Sequence, residues 1–306
     1  MQVLRLGTRG SRLALWQAGY VADQLREYFP DLQVTIEVIR TTGDKILDVA
    51  LSKIGDRGLF TKEIDQALLN DEIDFAVHSM KDVPGELPAE LCIAAVLERE
   101  AAHDVLIARQ AQCLSELPRG ARLGTSSLRR MAQLRAYRAD FQLLEIRGNV
   151  ETRLRRMEEM ELDGVLLAAA GIKRLGLEHR ISEYIAFEVM LPAVGQGAIG
   201  VEARSDDLAT LEILSILNHG ESSNCVKMER AFLAALGGGC QVPIAALAHP
   251  TEDHLVMEGL ISSLDGQRIF RDRMLCSVTD AEYGGQTLAQ LLLAQGGAQI
   301  LHELKH

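Results

Sequence analysis

Apolar residues come in short blocks along the chain, and their spacing alternates between strand and helix periods. Residues 3–6 read as a short strand. From about 13 to 29 the pattern is helical, with Leu13, Trp16, Tyr20 and Leu25 near one face, Ser11 as N-cap and Pro30-Asp31 as the stop. Residues 34–39 alternate and carry β-branched side chains, as a strand does. A polar, glycine-spaced segment over 41–58 reads as a loop. A helix over 61–69, capped by Thr61, and a buried strand over 73–77 come next. That strand runs straight into His78-Ser79-Met80-Lys81-Asp82-Val83-Pro84.

A second unit starts near Ala101. Strands are expected over 105–108, 122–124, 141–146 and 164–170, with helices over 125–137 and 151–161. Such alternation predicts α/β architecture, a mostly parallel sheet with helices on both faces. Residues 191–200, rich in glycine and small side chains, read as a crossing between units. A last unit from about Glu221 holds a helix over 224–236, a strand over 244–247, a hairpin signal at Asp265-Gly266 and a helix from about Thr279. One internal echo stands out: Arg5-Leu6-Gly7-Thr8 and Arg122-Leu123-Gly124-Thr125 are the same tetrapeptide, each ending a strand and preceding a helix. Two similar lobes would thereby offer two helix N-termini to one cleft, and such termini favour anions.

Composition narrows the function. At 306 residues the chain has room for two or three domains, and 47% apolar with 25% charged residues is ordinary for a soluble protein. Aromatics at 4% disfavour stacking platforms, and a net charge of -11 argues against a nucleic-acid partner. No stretch reads as a signal peptide or membrane span, so no membrane partner is expected. Five scattered cysteines without a C-x-x-C pair fit reduced thiols, and no histidine spacing predicts a metal.

Against the acidic whole, residues 119–156 hold ten arginines, no lysine, and only Asp140, Glu145 and Glu151 as acids. Arginine alone favours bidentate recognition of carboxylates or phosphates. Arg129-Arg130 at a helix start and Arg147 at a strand end are well placed for it. No phosphate-binding glycine loop opens a helix, so several carboxylates fit better than a nucleotide. Lys81-Asp82 follows a buried strand, where a carboxylate can stabilise a developing cation or move a proton. Gly237-Gly238-Gly239-Cys240 needs unusual dihedrals or a bulky neighbour. Cys240 is either a small buried hydrophobe after a helix C-cap or a sulfur presented to a ligand.

Seven segments together resemble the porphobilinogen deaminase (hydroxymethylbilane synthase) family, in its order and from end to end. They are Thr8-Arg9-Gly10-Ser11-Arg12-Leu13-Ala14, Gly58-Leu59-Phe60-Thr61-Lys62-Glu63, His78-Ser79-Met80-Lys81-Asp82-Val83-Pro84, Gly124-Thr125-Ser126-Ser127-Leu128-Arg129-Arg130, Arg147-Gly148-Asn149-Val150-Glu151-Thr152-Arg153, Leu191-Pro192-Ala193-Val194-Gly195-Gln196-Gly197 and Gly238-Gly239-Cys240-Gln241-Val242-Pro243. The resemblance implies two periplasmic-binding-protein-like lobes, residues 1–100 with a return segment about 196–217 and residues 101–195, plus a smaller C-terminal α+β domain over 218–306. It implies a transferase that condenses porphobilinogen on a dipyrromethane cofactor held through Cys240, in a cytoplasmic monomer. Asp82 matches the family's catalytic aspartate. Lys81, Thr125, Ser127, Arg129 and Arg130, with Asp82, would hold the cofactor. Arg9, Ser11, Arg147, Arg153 and Arg174 would hold pyrroles, Phe60 would stack near the working pyrrole, and Gln196 would line the cleft. Where many bacterial members read Gly-Gly-Lys-Gly, this chain reads Gly55-Asp56-Arg57-Gly58. Without the resemblance, a di- or tricarboxylate-binding protein and a thiol enzyme using Cys240 remain open.

Overall fold

The structure, a computed structural model, describes residues 3–45, 61–237 and 242–304. The chain runs β1 (Val3–Thr8), α1 (Arg12–Tyr28), β2 (Gln33–Val38), α2 (Thr42–Lys45), α3 (Lys62–Leu69), β3 (Phe75–Ser79) and β4 (Leu91–Val96). It continues through β5 (Asp104–Ala108), β6 (Arg122–Gly124), α4 (Leu128–Tyr137), β7 (Gln142–Leu144), α5 (Val150–Glu159), β8 (Gly164–Ala168), α6 (Ala169–Arg174) and β9 (Glu183–Tyr184). Then come β10 (Ile199–Arg204), α7 (Leu208–Ser215), α8 (Gly220–Ala235), β11 (Ile244–Pro250), β12 (His254–Ser262), β13 (Ile269–Ser277), α9 (Ala281–Leu292) and α10 (Ala298–Glu303).

Two five-stranded sheets share one plan. The first has the order β2-β1-β3-β10-β4 and the second β7-β6-β8-β5-β9. In each, three strands are parallel, and the fourth runs antiparallel to both neighbours. The sheets are therefore mixed, not mostly parallel. The antiparallel strands, β10 and β5, are the first that the chain lays down after crossing from the other sheet. The tetrapeptide echo is structural: β1 and β6 hold the same place in their sheets. Arg5 N donates to Asp74 Oδ2 at 2.6 Å and Asp74 N to Arg5 O at 2.9 Å; Arg122 N donates to Asp163 Oδ2 at 2.7 Å and Asp163 N to Arg122 O at 2.9 Å.

Helix α1 begins as expected, with Ser11 Oγ accepting from Ala14 N at 3.2 Å. Its buried face differs: Ala18, Val21, Ala22 and Leu25 pack on the sheet, while Trp16 and Tyr20 stay 39% and 43% exposed. Two apolar stripes competed, and the smaller side chains let the helix lie closer to Leu4, Leu6 and Val34. Thr61 occupies the N-cap position of α3 but caps nothing; its Oγ faces Asp65 Oδ2 at 3.4 Å. The strand expected over 164–170 gives way to α6 at Ala169, and β4, β9, β10 and α7 were not anticipated.

The C-terminal sheet is antiparallel, β11-β12-β13, with α8 and α9 packed on it around Met228, Phe232 and Leu288. It docks on the return crossing, where Ala246 N donates to Pro192 O at 3.1 Å, and it bonds to its own α8, where Ala248 N donates to Glu229 Oε1 at 2.8 Å. Glu229 is fully buried and also accepts from Gly195 N at 2.7 Å and from both Arg99 Nη atoms. The two crossings bond to each other, Leu97 N to Ile199 O at 3.0 Å and Glu100 N to Gly197 O at 3.3 Å. Gly197 has φ +93°, and a Cβ there would lie 2.3 Å from Glu100 O.

Gly197→Ala should therefore lower the unfolding free energy by about 2 kcal/mol or more, since backbone strain and clash add. Gly176→Ala, at φ +70° but with open space around it, should lose only about 1 kcal/mol. Equal urea midpoints for the two variants would show that the crossing has room to give.

Candidate active site

The strand expected at 73–77 lies two residues later, as Phe75–Ser79, and one 3-10 turn, Met80–Asp82, follows it. Met80 anchors the turn: its side chain is buried, its N donates to Ala198 O at 3.0 Å, and Val83 N closes on Met80 O at 3.2 Å. Lys81 and Asp82 are left half-buried at the strand end. Asp82 shares a cleft with Arg9, Ser11, Gln17, Thr61, His78 and Ser79. Gln17 Nε2 donates to Ser79 Oγ at 2.9 Å and fixes that wall.

Cations gather opposite. Burial lowers the Lys81 ammonium, with Asp82 and Asp104 opposing and Arg130 and Arg153 reinforcing. Arg153 is pushed down to about 10 by burial, further by Arg130 and Arg147 and against Asp82. The turn Arg147-Gly148-Asn149 positions both arginines. Asn149 caps α5 by accepting from Thr152 N at 2.8 Å, and Arg153 Nε donates to Gly148 O at 2.8 Å. Arg147 Nε is buried without an acceptor. Lys81, Arg130, Arg147 and Arg153 thus outnumber the carboxylates of Asp82 and Asp104, and Asp104 is already engaged.

That engagement is what Arg129 and Arg130 do within the chain itself. Asp104, fully buried at the start of β5, accepts from Arg129 Nη1 at 2.6 Å and from Arg130 Nε and Nη2 at 3.0 and 2.6 Å. The remaining Arg130 nitrogen donates to Leu166 O at 2.8 Å, and Arg129 Nη1 also to Leu191 O at 2.7 Å. Burial pushes the Asp104 carboxyl up, but both arginines, by charge and hydrogen bond, hold it well below the usual carboxylate range. The pair is first of all a counter-charge for the chain's own acid. Gln196 is buried beside them, and its Nε2 donates to Ala102 O at 2.7 Å and Asp104 Oδ1 at 3.1 Å. An acid opening an apolar strand is the one sequence signal that pointed to Asp104.

The other expected residues divide. Ser127 caps α4 through Arg130 N at 3.4 Å, and Thr125, buried, accepts from Ser127 N at 3.2 Å. Arg174 lies near α1: its guanidinium sits 5.9 Å over the Trp16 ring, and Nη2 donates to Gly197 O at 2.7 Å. Burial lowers it to about 10, with Glu100 opposing. Phe60, Cys240 and the segment Gly55-Asp56-Arg57-Gly58 lie outside the described residues. Up to Gly237 the path is defined: α8 ends against the loop after Asp82, where a Cβ on Gly85 would lie 3.3 Å from Ala234 N, and Gly237 follows at φ +58°.

One cluster escaped sequence reasoning. His78 Nε2 stands 3.0 Å from Glu202 Oε2, at ion-pair distance but without hydrogen-bond alignment, and both side chains are buried. Asp65 is pushed up to about 6 by burial and by Glu202, against His78 and the Thr61 hydroxyl. A lone acid within the apolar run Ile199-Gly200-Val201-Glu202-Ala203 was its only sequence sign. Among the described residues no group of His, Cys, Asp and Glu is arranged to hold a metal.

Comparison with known proteins covers nearly the whole chain. Residues 4–212 match the family model "Porphobilinogen deaminase, dipyromethane cofactor binding domain", and residues 223–294 match "Porphobilinogen deaminase, C-terminal domain". The porphobilinogen deaminase of Syntrophomonas wolfei is 59% identical over 305 residues, covering 100% of both chains. That of Desulfitobacterium hafniense is 50% identical, over 100% of this chain and 98% of its own. Among solved structures, a TRAP periplasmic solute binding protein from Desulfovibrio salexigens aligns over 71% of this chain and 72% of its own, at TM-score 0.43 and 11% identity.

The raised Asp65 carboxyl carries a stability prediction. Its folded value exceeds its unfolded one, so ionisation weakens the fold as pH rises from about 4 to about 6. Asp65→Asn should raise Tm at about pH 8 and lose that gain at about pH 4.5. An equal gain at both would remove Asp65 as the titrating group.

Proposed function

The chain belongs to the porphobilinogen deaminase family, and from that premise we propose how its cleft performs the family's reaction. The protein is a deaminating transferase that joins porphobilinogen units head to tail on a dipyrromethane cofactor and releases the linear tetrapyrrole hydroxymethylbilane. Family membership sets aside the solute-binding and thiol-enzyme readings.

The cleft residues fit a dipyrromethane, whose rings carry acetate and propionate groups. The excess of cations around Lys81 calls for carboxylates, and the unpartnered Arg147 Nε is the observation that carries this reading. Lys81, Arg147 and Arg153 supply donors, and Thr125 and Ser127 head the neighbouring helix α4. Arg130 contributes field more than hydrogen bonds, because its nitrogens already serve Asp104 and Leu166. Bound, the cofactor supplies the primer to which substrate units are joined. Tethering through Cys240 is supported by the end of α8 packing beside Gly85, close to the Lys81–Asp82 turn.

Asp82 is the proposed catalytic group. When ammonia leaves the aminomethyl carbon of porphobilinogen, positive charge develops on the pyrrole, and C–C bond formation passes through a cation again. A half-buried carboxylate at the strand end stabilises both, more strongly than in water. Arg9 and Ser11, on the same cleft wall, would take the carboxylates of the incoming substrate. Arg174, over the Trp16 ring, would meet a longer chain. Phe60 would stack on the reacting pyrrole. The proposal extends to three domains, residues 1–100 with about 196–217, 101–195 and 218–306; each sheet's strands fall within one of them. It extends also to a cytoplasmic monomer without nucleic-acid or membrane partners; among the described residues no helix is long and apolar enough to cross a membrane.

Two measurements test this. Intact mass of protein from a porphobilinogen-making host should exceed the polypeptide by two linked pyrrole units, and Cys240→Ala should lose that excess. Wild-type protein at its bare polypeptide mass would sink the tether. Asp82→Asn should keep fold and cofactor mass while turnover falls by about 100-fold or more; unchanged turnover would remove Asp82 from the chemistry.

A further inference from the structure

His78 and Glu202 stand behind Asp82 and have no part in the chemistry above. His78, in β3, lies four residues before Asp82, which is in the turn that follows the strand; it lines the same cleft and is 5% exposed. Its Nε2 is 3.0 Å from Glu202 Oε2. Glu202, in β10, is fully buried, and neither of its oxygens accepts a hydrogen bond. A carboxylate in that state is unfavourable, and an apolar side chain of like volume would pack the site better. The groups facing it from other elements are few. Asp65 comes from α3, Cys92 from β4 and Arg230 from α8; Arg230 Nη2 donates to Gly85 O at 3.2 Å, and its Nη1 is buried without an acceptor. Among the described residues, Arg230 and an imidazolium at position 78 are the cationic candidates near Glu202; the ring is the one at ion-pair distance, and it borders the cleft.

We propose that His78, oriented by Glu202, accepts the proton that each condensation releases and returns it to the departing ammonia. The inference rests on the porphobilinogen deaminase reading. The substrate enters as an ammonium, and its C–N bond breaks with the electron pair going to nitrogen. The new C–C bond uses a π pair of the acceptor pyrrole. The C–H pair at that carbon then restores the ring, and its proton passes to the imidazole. Imidazolium gives the proton to ammonia, so one ammonium leaves for each unit joined and no oxidant or reductant is needed. Asp82 stabilises the cation while His78 removes the proton. Glu202 is a positioning residue: its buried carboxylate, 3.0 Å from His78 Nε2, is the counter-charge beside which the ring takes up the proton.

Glu202→Gln keeps the shape and removes the charge. In holoenzyme of verified cofactor mass, kcat should fall by about ten-fold or more with KM little changed. A kcat equal to wild type in that variant, or a KM that rises in step with the loss of kcat, would overturn the proposal. If Glu202→Gln does not fold, His78→Ala decides. Recovery of its turnover by added imidazole supports the proton role, whereas a folded, loaded variant with wild-type turnover, or an inactive one that imidazole does not restore, overturns it. Wild-type protein that makes no tetrapyrrole would remove the underlying reading instead, so the two failures are distinguishable.

Discussion

Asp104 is the buried charge on which the architecture around the cleft depends. One carboxylate at the first residue of β5 gathers Arg129, Arg130 and Gln196. Those three partners come from α4 and from the return crossing, and Arg129 and Arg130 reach on to Leu191 O and Leu166 O. Without the carboxylate, two guanidiniums would stand buried without counter-charge, a state that removal of one partner makes worse by several kcal/mol, about 3–5. With it, the helix start Thr125-Ser126-Ser127, the strand β8 and both crossings are held in one frame. Glu229 plays the matching part on the other side, joining Arg99, Gly195 and the C-terminal sheet through Ala248.

Those pins leave the cleft a particular electrostatic character. The chain is acidic overall, at -11, yet Lys81 lies near Arg153, and Arg153 near Arg147, where among the described residues Asp82 is the nearby acid not already engaged. Burial lowers Lys81 and Arg153, so the protein holds these cations at an energetic disadvantage. On the proposed reading a polycarboxylate would remove that disadvantage, and the cation developing beside Asp82 would meet a fixed counter-charge. Binding and catalysis would then divide by sign within one cleft: surplus positive charge would order the pyrrole side chains, and one carboxylate would serve the rings.

The repeated sheet plan explains why the cleft has two walls of similar make. β1 with α1 and β6 with α4 each present a strand end and a serine-capped helix start, and Asp74 and Asp163 tie the equivalent strands by the same pair of hydrogen bonds. The walls differ in what they carry. The first brings Arg9, Ser11 and the Lys81–Asp82 turn; the second brings arginines. α8 of the C-terminal region reaches the first wall at Gly85, so all three sheets contribute to one place.

Much of this was legible in the chain. The cap at Ser11, the helix start at Thr125-Ser126-Ser127, the strand ends before Lys81 and Arg147, the tetrapeptide echo and the hairpin at Asp265-Gly266 follow from neighbours within a few residues, where backbone hydrogen-bond demand and side-chain chemistry act locally. The seven motif segments carried the family for the same reason. Local pattern did not decide which face of α1 is buried, that β5 and β10 run antiparallel, or that Arg129, Arg130 and Gln196 serve Asp104. Nor did it reveal that His78 faces Glu202. Each of these depends on partners outside the segment's own local pattern, as with Arg129 and Asp104, 25 residues apart. An arginine in a sequence is only a set of donors and a charge. Whether it waits for a ligand or satisfies a carboxylate of its own chain is settled by which acids the crossings bring within 3 Å of it, and only the tertiary structure decides that.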